Sequence, residues 1–457
     1  MSPVQQKTTQ GARAAAFPVL LVSLFLIFSA LFEVLPGMRA TRPQLVLGVI
    51  GLFFLFTTGQ AIRVVLTPVG KSLLVFTAWF VVCIPFAIWR GGSFGILINL
   101  WYKTVLMFVL TAGLLSTVPQ AKKLFHAIGY AVGLMAVIAL AKRTYLLGRL
   151  TLPDTRYGNS NDLAVTLLVG LTFLGYSFIR GTQRDKAFAM VLSCPVLLAL
   201  AKTGSRAALL GAGMLCVFGF LQASNRSRIR MAAGASLILI VLAVVVPSNL
   251  KQRYFTLFKS SEQERHGQKI TKEEAQEYDA ATGSAEGRLR LLKDSLIITF
   301  QHPLFGVGPG NFVVEQNNLA IARGELGMWH VTHNTYTQVS SEMGIPGLIF
   351  YVMFLYQTFK VLTSIVRSEQ PGEVWRDLRA LALSLRAALV VLATVAFFDS
   401  FPYLPDVPIM AGLAVALGYI AQKQRAADGV MSTSKAIPGP LPEPALPPAW
   451  TRQFLTR

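Results

Sequence analysis

Charge of either sign is scarce in this chain. Only 14% of its 457 residues are Asp, Glu, Lys or Arg, where an ordinary soluble domain carries about 25%. A deficit of that size excludes a water-exposed surface over most of the molecule. Cysteine is scarcer still. Cys83, Cys194 and Cys216 each sit inside an apolar run, which excludes a disulfide framework and a cysteine zinc site. Acidic residues are few, 22 against 42 Lys and Arg, giving a net charge of +20. The basic residues are scattered between apolar runs, so no nucleic-acid partner is expected. Basic loops beside a membrane, or a phosphate-bearing partner, fit that pattern better. No Gly-Lys-Ser/Thr follows the glycine-rich stretch near Gly306, so there is no P-loop. Histidines and carboxylates do not fall at zinc-ligand spacing, and no metal or other cofactor is expected.

What the chain has in quantity is apolar length. Hydrophobic residues make up 53% and the mean hydropathy is +0.53. Runs of about 20 apolar residues cross a bilayer as helices, and open sheet edges cannot lie in lipid. The sequence therefore reads as an all-α polytopic membrane protein with about twelve transmembrane helices. The expected spans are 15–35, 44–62, 72–89, 96–118, 124–141, 163–179, 187–201, 207–222, 231–247, 345–366, 380–398 and 405–422. The two short runs meeting at Lys202 read either as two spans or as a hairpin dipping partway. Five regions follow: an N-terminal tail 1–14, a first bundle 15–247, a large loop 248–332, a last group of spans 333–422, and a Pro- and Ala-rich tail 423–457 expected to be disordered. Basic residues favour the loops on the side of the N-terminus, among them Arg63, Lys122, Lys123, Arg180, Arg226 and Arg376. By the positive-inside rule both termini are then cytoplasmic and the large loop lies outside.

That topology puts several polar residues on one face with the loop. Asn161 and Asp162 open the sixth span and Arg206 the eighth. Asp399 ends the eleventh. His333 precedes the tenth, and Lys103 lies inside the fourth near its outer end. A charge inside a span is costly and marks a functional site by default. Within the loop, Lys251–Asp279 is charged and without apolar period, as in a solvated segment. From Ser284, a candidate N-cap with Glu286 in the first turn, Leu289, Leu292, Leu296 and Phe300 form one stripe of an amphipathic helix lying on the membrane or the bundle. Arg288 falls near its expected start, where backbone N–H groups and a guanidinium would together hold an anion. Pro303-Leu-Phe-Gly306-Val-Gly308-Pro-Gly310-Asn311-Phe312 is either a packing turn or a close approach to a ligand. His333 and Asn334 stand ahead of Gln338 and Glu342, and a neutral imidazole can take a proton from a hydroxyl. Gly344-Ile-Pro-Gly347 breaks the helix that follows.

Gly158 and Asn161 at one span start, Ser205-Arg206 at another, Arg288 before the glycine-rich turn, then His333-Asn334 and Glu342-Met-Gly344-Ile-Pro-Gly347, occur in an order that resembles the O-antigen ligase and polymerase superfamily. The resemblance covers about 15–422 in topology, and its motifs lie within 156–350. It implies a GT-C-like bundle with a large periplasmic loop, sited in the bacterial inner membrane. It implies a metal-independent glycosyltransferase working on an undecaprenyl-diphosphate-linked glycan, with membrane lipid around it. A ligase passes the glycan to lipid A-core or a similar sugar acceptor, and a polymerase passes it to another lipid-linked unit. Carried over by position, Arg206 and Arg288 would bind the diphosphate and His333 would be the base, with inversion at the anomeric carbon. Asn161, Asp162, Lys103, Asn334, Glu342 and Asp399 are the supporting candidates. Two other readings remain: a non-catalytic envelope scaffold, which would need the bundle but not the Arg206, Arg288 and His333 set, and a transporter or flippase. The latter would show internal repeats or matching broken helices in two halves, and the single large loop is asymmetric.

Overall fold

Long apolar runs can satisfy their own backbone only as helices, and helices fill the computed structural model of this chain. The structure describes residues 3–225, 228, 229, 234, 272–325 and 327–435. In chain order, α1 (Pro3–Ser29), α2 (Leu31–Val34), α3 (Pro43–Thr57), α4 (Gln60–Leu66), α5 (Pro68–Cys83), α6 (Arg90–Ile96), α7 (Tyr102–Leu114), α8 (Val118–Lys142), α9 (Ser160–Arg180), α10 (Gln183–Lys202) and α11 (Arg206–Gln222) form the first part. Then come α12 (Lys272–Gln301), α13 (Phe312–Ala322), α14 (Thr335–Val366), α15 (Glu373–Val395) and α16 (Asp406–Lys435). Among the described residues the only strands are β1 (Tyr145–Leu146) and β2 (Arg149–Leu150), an antiparallel hairpin between α8 and α9.

Among the described residues six stretches are long and apolar enough to cross a membrane: Pro68–Phe86, Arg90–Leu114, α8, α9, α14 and α15. The pair α3 and α4 would make a seventh, but an 88° bend separates them where Gly59 takes a φ of +67°. Length and composition thus support six or seven spans, fewer than the twelve expected. Three causes account for much of the gap. In α10 the charges of Arg184, Asp185 and Lys186 intrude, α11 is short, and 231–247 falls outside the described residues apart from position 234. Helices nonetheless run through the other expected spans.

The core is built around α9, which packs against α8, α10, α11 and α15. Small residues let these backbones approach: a Cβ on Gly170 of α9 would collide with Val132 of α8. The two helices meeting at Lys202 are separate elements. Both α10 and α11 pack on α9, with α10 also against α8 and α11 against α15. The late helices join through α14, which packs on α5, α12, α15 and α16.

One end of the bundle is pinned by ions. Asp377 of α15 accepts from Lys122 of α8 and Arg180 of α9, each at 2.7 Å, and Arg180 also pairs with Glu373. There Trp375 Nε1 donates to Asp428 at 2.8 Å, on a helix that continues to Lys435 through the first part of the tail expected to be disordered. Likewise α12 begins at Lys272, well before Ser284. Lys272-Glu-Glu-Ala-Gln-Glu is rich in good helix formers, so the helix propagates through a stretch that has no apolar period. Of the expected solvated segment Lys251–Asp279, residues 251–271 lie outside the described residues and 272–279 belong to this helix.

Candidate functional site

At the other end, short loops and helix starts bring polar residues together. The start of α14 is set by Asn334, whose Oδ1 accepts from Tyr336 N at 3.0 Å and Thr337 N at 3.1 Å. That is an N-cap, so this predicted supporting residue is engaged in shaping the backbone. The Thr332 hydroxyl accepts from Asn334 N at 3.1 Å. Between them His333 is held at a φ of +52°, a region a side-chain-bearing residue seldom occupies. Thr335 ties this helix start to the loop after α15: its N donates to Ala396 O at 2.8 Å, and its Oγ1 donates to Asp399 O at 2.8 Å. Asp399 is only 3% exposed. Its Oδ1 accepts from Ser400 N at 2.9 Å, and its Oδ2 has no hydrogen-bond partner. His333 Nδ1 is likewise buried without one.

Arg288 completes this group from α12. The helix starts earlier than the sequence suggested, so Arg288 sits in its interior and has no free helix N-terminus beside it. An anion there would meet the guanidinium and not a ring of backbone N–H groups. The apolar stripe is also turned over. Leu291, Asp294, Ser295, Ile298 and Thr299, in register with Arg288, are buried, while Phe300 of the expected stripe is 73% exposed. Of the two expected alternatives, the stripe facing away from the protein fits a helix lying on a membrane.

Electrostatics bind these three side chains. Burial pushes the His333 imidazole down to about 4, and the positive charge of Arg288, followed by His330, adds to the effect. It is therefore neutral at pH 7 and far below the ordinary value near 6.5. Burial pushes the Asp399 carboxyl up, against the opposing pull of the Ser400 hydrogen bond, Arg288 and Arg149. Burial lowers Arg288, opposed by Asp399.

A second group forms around Asn161, which lies in the first turn of α9. Its Oδ1 accepts from Arg149 at 2.7 Å and from the Ser205 hydroxyl at 2.9 Å. Arg149 Nε donates in turn to Thr203 O at 2.8 Å. Ser205 caps α11 through Ala208 N, which fixes Arg206 as its first residue. The half-buried Arg206 is thus placed by the capping residue and, through it, by α9. Arg149 was missed as a site residue. Its position in a basic loop reads only as a topology signal, and its partners lie across the fold.

Glu342 has a different role. It is 1% exposed and accepts from Gly310 N at 2.8 Å, Phe312 N at 3.4 Å, Gln338 Nε2 at 3.2 Å and the Tyr403 hydroxyl. The glycine-rich turn is thereby stitched to α14. Val307 N and Gly308 N donate to Ser341 O and Glu342 O, both at 2.9 Å. A Cβ on Gly306 would strike the Glu342 backbone, so the turn is a packing device. Lys103 stands apart, exposed, its ammonium 5.7 Å from the Tyr102 ring. Asp162 lies within electrostatic reach of Asp399, Asp406 and Arg156. Arg156 pairs with Asp406 at 2.5 Å.

The arrangement offers a neutral imidazole, an incompletely bonded carboxylate and guanidinium groups from separate elements, gathered at one end of an apolar bundle. A family model described as O-antigen ligase matches residues 188–352, less than half of the chain. The match runs from within α10 to within α14 and contains Arg206, Arg288 and His333. A comparison with curated proteins gives no match.

Proposed function

We propose, on the match of residues 188–352 to an O-antigen ligase family model and on helices long and apolar enough to cross a membrane, that the protein transfers a glycan from an undecaprenyl-diphosphate carrier to a sugar hydroxyl on the periplasmic face of the bacterial inner membrane. The acceptor is lipid A-core or a similar glycan, which makes the protein ligase-like. The observation that carries this reading is the meeting of Arg288, His333 and Asp399 from three distant elements, with Arg149 close enough to act on the same carboxylate. A long apolar carrier needs a lipid-facing bundle for its tail and cations at the boundary for its phosphates.

In the reaction the acceptor oxygen attacks the anomeric carbon, and the bond from that carbon to the diphosphate oxygen breaks with its electron pair leaving on the diphosphate. Arg288 and Arg206 stabilise the charge that develops there, since a guanidinium fork matches phosphate oxygens and stays charged. His333 takes the proton from the acceptor hydroxyl. Its low basicity follows in part from Arg288, whose charge a bound diphosphate would offset. Attack opposite the leaving group inverts the anomeric centre. Asp399, with its free Oδ2, is the other group placed to accept the proton.

Deleting the gene and examining surface glycan tests the reading. Loss of capped lipopolysaccharide with long undecaprenyl-linked chains retained identifies a ligase. Accumulation of single repeat units identifies a polymerase. Unchanged surface glycan overturns both.

A further inference from the structure

After α13 the chain returns over α12 as a strap before it reaches His333 and α14. Three contacts fasten it to α12. Arg323 Nη1 donates to the buried Asp294 at 2.8 Å, Glu325 pairs with Arg290, and Met328 reaches Gly287, where an added Cβ would lie 2.9 Å from its Cε. Gln316 joins the anchors: its Nε2 donates to Asp294 at 3.1 Å, and its Oε1 accepts from Met328 N at 3.0 Å. The next residue, Trp329, takes a φ of +52°, which a bulky residue adopts only where its surroundings impose it. Yet it is 62% exposed. A lone exposed indole is ordinary, and beside a bilayer it commonly anchors at the interface. The faces of α12 argue against that anchor. At 100° per residue, Gly287, Leu291, Asp294 and Ile298 lie on one side of the helix and Leu289, Leu296 and Phe300 on the opposite side. The strap is fastened to the first side, whereas the exposed apolar stripe that fits a membrane is the second. Helix α12 thus stands between the lipid and the strap, and Trp329 is exposed on the water side. Along the strap, exposure falls from Trp329 and His330 to the half-buried His333, and the rings of His330 and His333 are 6.4 Å apart. Four residues of chain reach at most about 14 Å, so a short oligosaccharide spans from Trp329 to His333.

We propose that Trp329 is a stacking platform for one pyranose ring of the glycan, on the water side of His333. The proposal rests on the glycan-transfer reading above, which gives His333 a sugar hydroxyl to meet. A pyranose has hydroxyls around its edge and an apolar C–H face whose hydrogens are weakly positive. The indole face is large, rigid and negative, so the two faces match. An open platform also suits a sugar, because the edge hydroxyls stay in water while the ring is held. Other ligands of the same reaction fit worse. A diphosphate would meet the negative face of the ring. A prenyl chain would have to leave the lipid on the far side of α12.

The test uses the purified full-length protein in nanodiscs and measures equilibrium binding of three probes. They are polyprenyl diphosphate without sugar, the same lipid carrying an oligosaccharide, and a soluble oligosaccharide acceptor titrated with polyprenyl diphosphate already bound. Trp329→Ala is expected to weaken a saccharide-bearing probe about tenfold, the scale of one ring-stacking contact. Trp329→Leu should do the same, since it keeps apolar bulk without a ring face, and Trp329→Tyr should restore most of the affinity. Bare polyprenyl diphosphate should bind at the wild-type value in all three variants, which also shows that they are folded. Weakening of the saccharide-bearing lipid assigns the ring to the donor, and weakening of the soluble oligosaccharide assigns it to the acceptor. Equal weakening of all three probes, weakening of none, or rescue by Leu as complete as by Tyr overturns the platform and leaves the transfer reading standing. Wild-type protein that binds neither lipid probe overturns the transfer reading itself, and the platform falls with it.

Discussion

His333 is the residue whose environment departs furthest from what its sequence position implies. A free imidazole near 6.5 would place an acid limb of the rate profile in the physiological range. The buried imidazole, titrating at about 4, moves that limb. The active form is the neutral one, so lowering its value extends activity toward acid. The transfer rate measured with purified protein should stay flat between about pH 7 and 6 and fall only toward 4 to 5. A fall centred near 6.5 would show that the imidazole is not held this way. His333→Ala should lose about a hundred- to ten-thousandfold in turnover while donor binding is kept. Near-normal turnover would pass the base role to Asp399. For the arginines, Arg288→Ala and Arg206→Ala should each abolish most transfer in protein that still inserts, and Arg→Lys should restore part of it, because Lys keeps charge without the bidentate fork. Full activity in Arg288→Ala would remove that residue from the site. Arg206, Arg288 and His333 were singled out in the sequence by their place in a motif order and on one membrane face, and not by rarity, since basic residues beside spans are common in this chain. Their surroundings were not legible, since the carboxylate beside Arg288 is Asp399, far along the chain, and the partner of Arg149 is Asn161 across a hairpin.

Among the elements, α14 and the turn docked on it show what pattern can and cannot convey. Gly344 takes a φ of +69°, and a Cβ there would collide with the Leu304 carbonyl. The break read from Gly344-Ile-Pro-Gly347 is therefore real, and the freed Met343 carbonyl accepts from Trp79 Nε1 at 2.8 Å. Gly344→Ala should cost about 1–3 kcal/mol from backbone conformation alone, with the collision in addition. A lower midpoint of thermal unfolding in detergent, with transfer reduced because the start of α14 shifts, is the expected result. An unchanged midpoint would mean that the turn does not pack as described. The face of α12 was the harder question. An apolar stripe in a soluble protein points to the core, but beside a membrane it can point to lipid. Spacing could not show that Leu291 and Ile298 face inward while Phe300 faces out.

At the level of the whole molecule the all-α membrane class was legible, while helix length and composition support six or seven of the twelve expected spans among the described residues. Composition alone separates membrane from soluble chains, whereas counting spans needs helix lengths and bends that the 88° break after α3 illustrates. Asn318 is exposed on α13, on the loop side of the site. In intact spheroplasts Asn318→Cys should react with an impermeant thiol reagent, and labelling only after lysis would reverse the proposed orientation. The site itself is made of two groups. In one, His333 and Asp399 are tied together through Thr335, and Arg288 acts on both electrostatically. Arg149, Asn161, Ser205 and Arg206 form the other, built on α9 and α11. A diphosphate held by both Arg288 and Arg206 would join the two groups, and the acceptor would then meet a completed surface. On the proposed transfer reading, the donor should bind first and the acceptor second. Product-inhibition patterns should show the released carrier diphosphate competing with the donor and not with the acceptor. A random-order pattern would mean that the acceptor needs no donor diphosphate bridging Arg288 and Arg206.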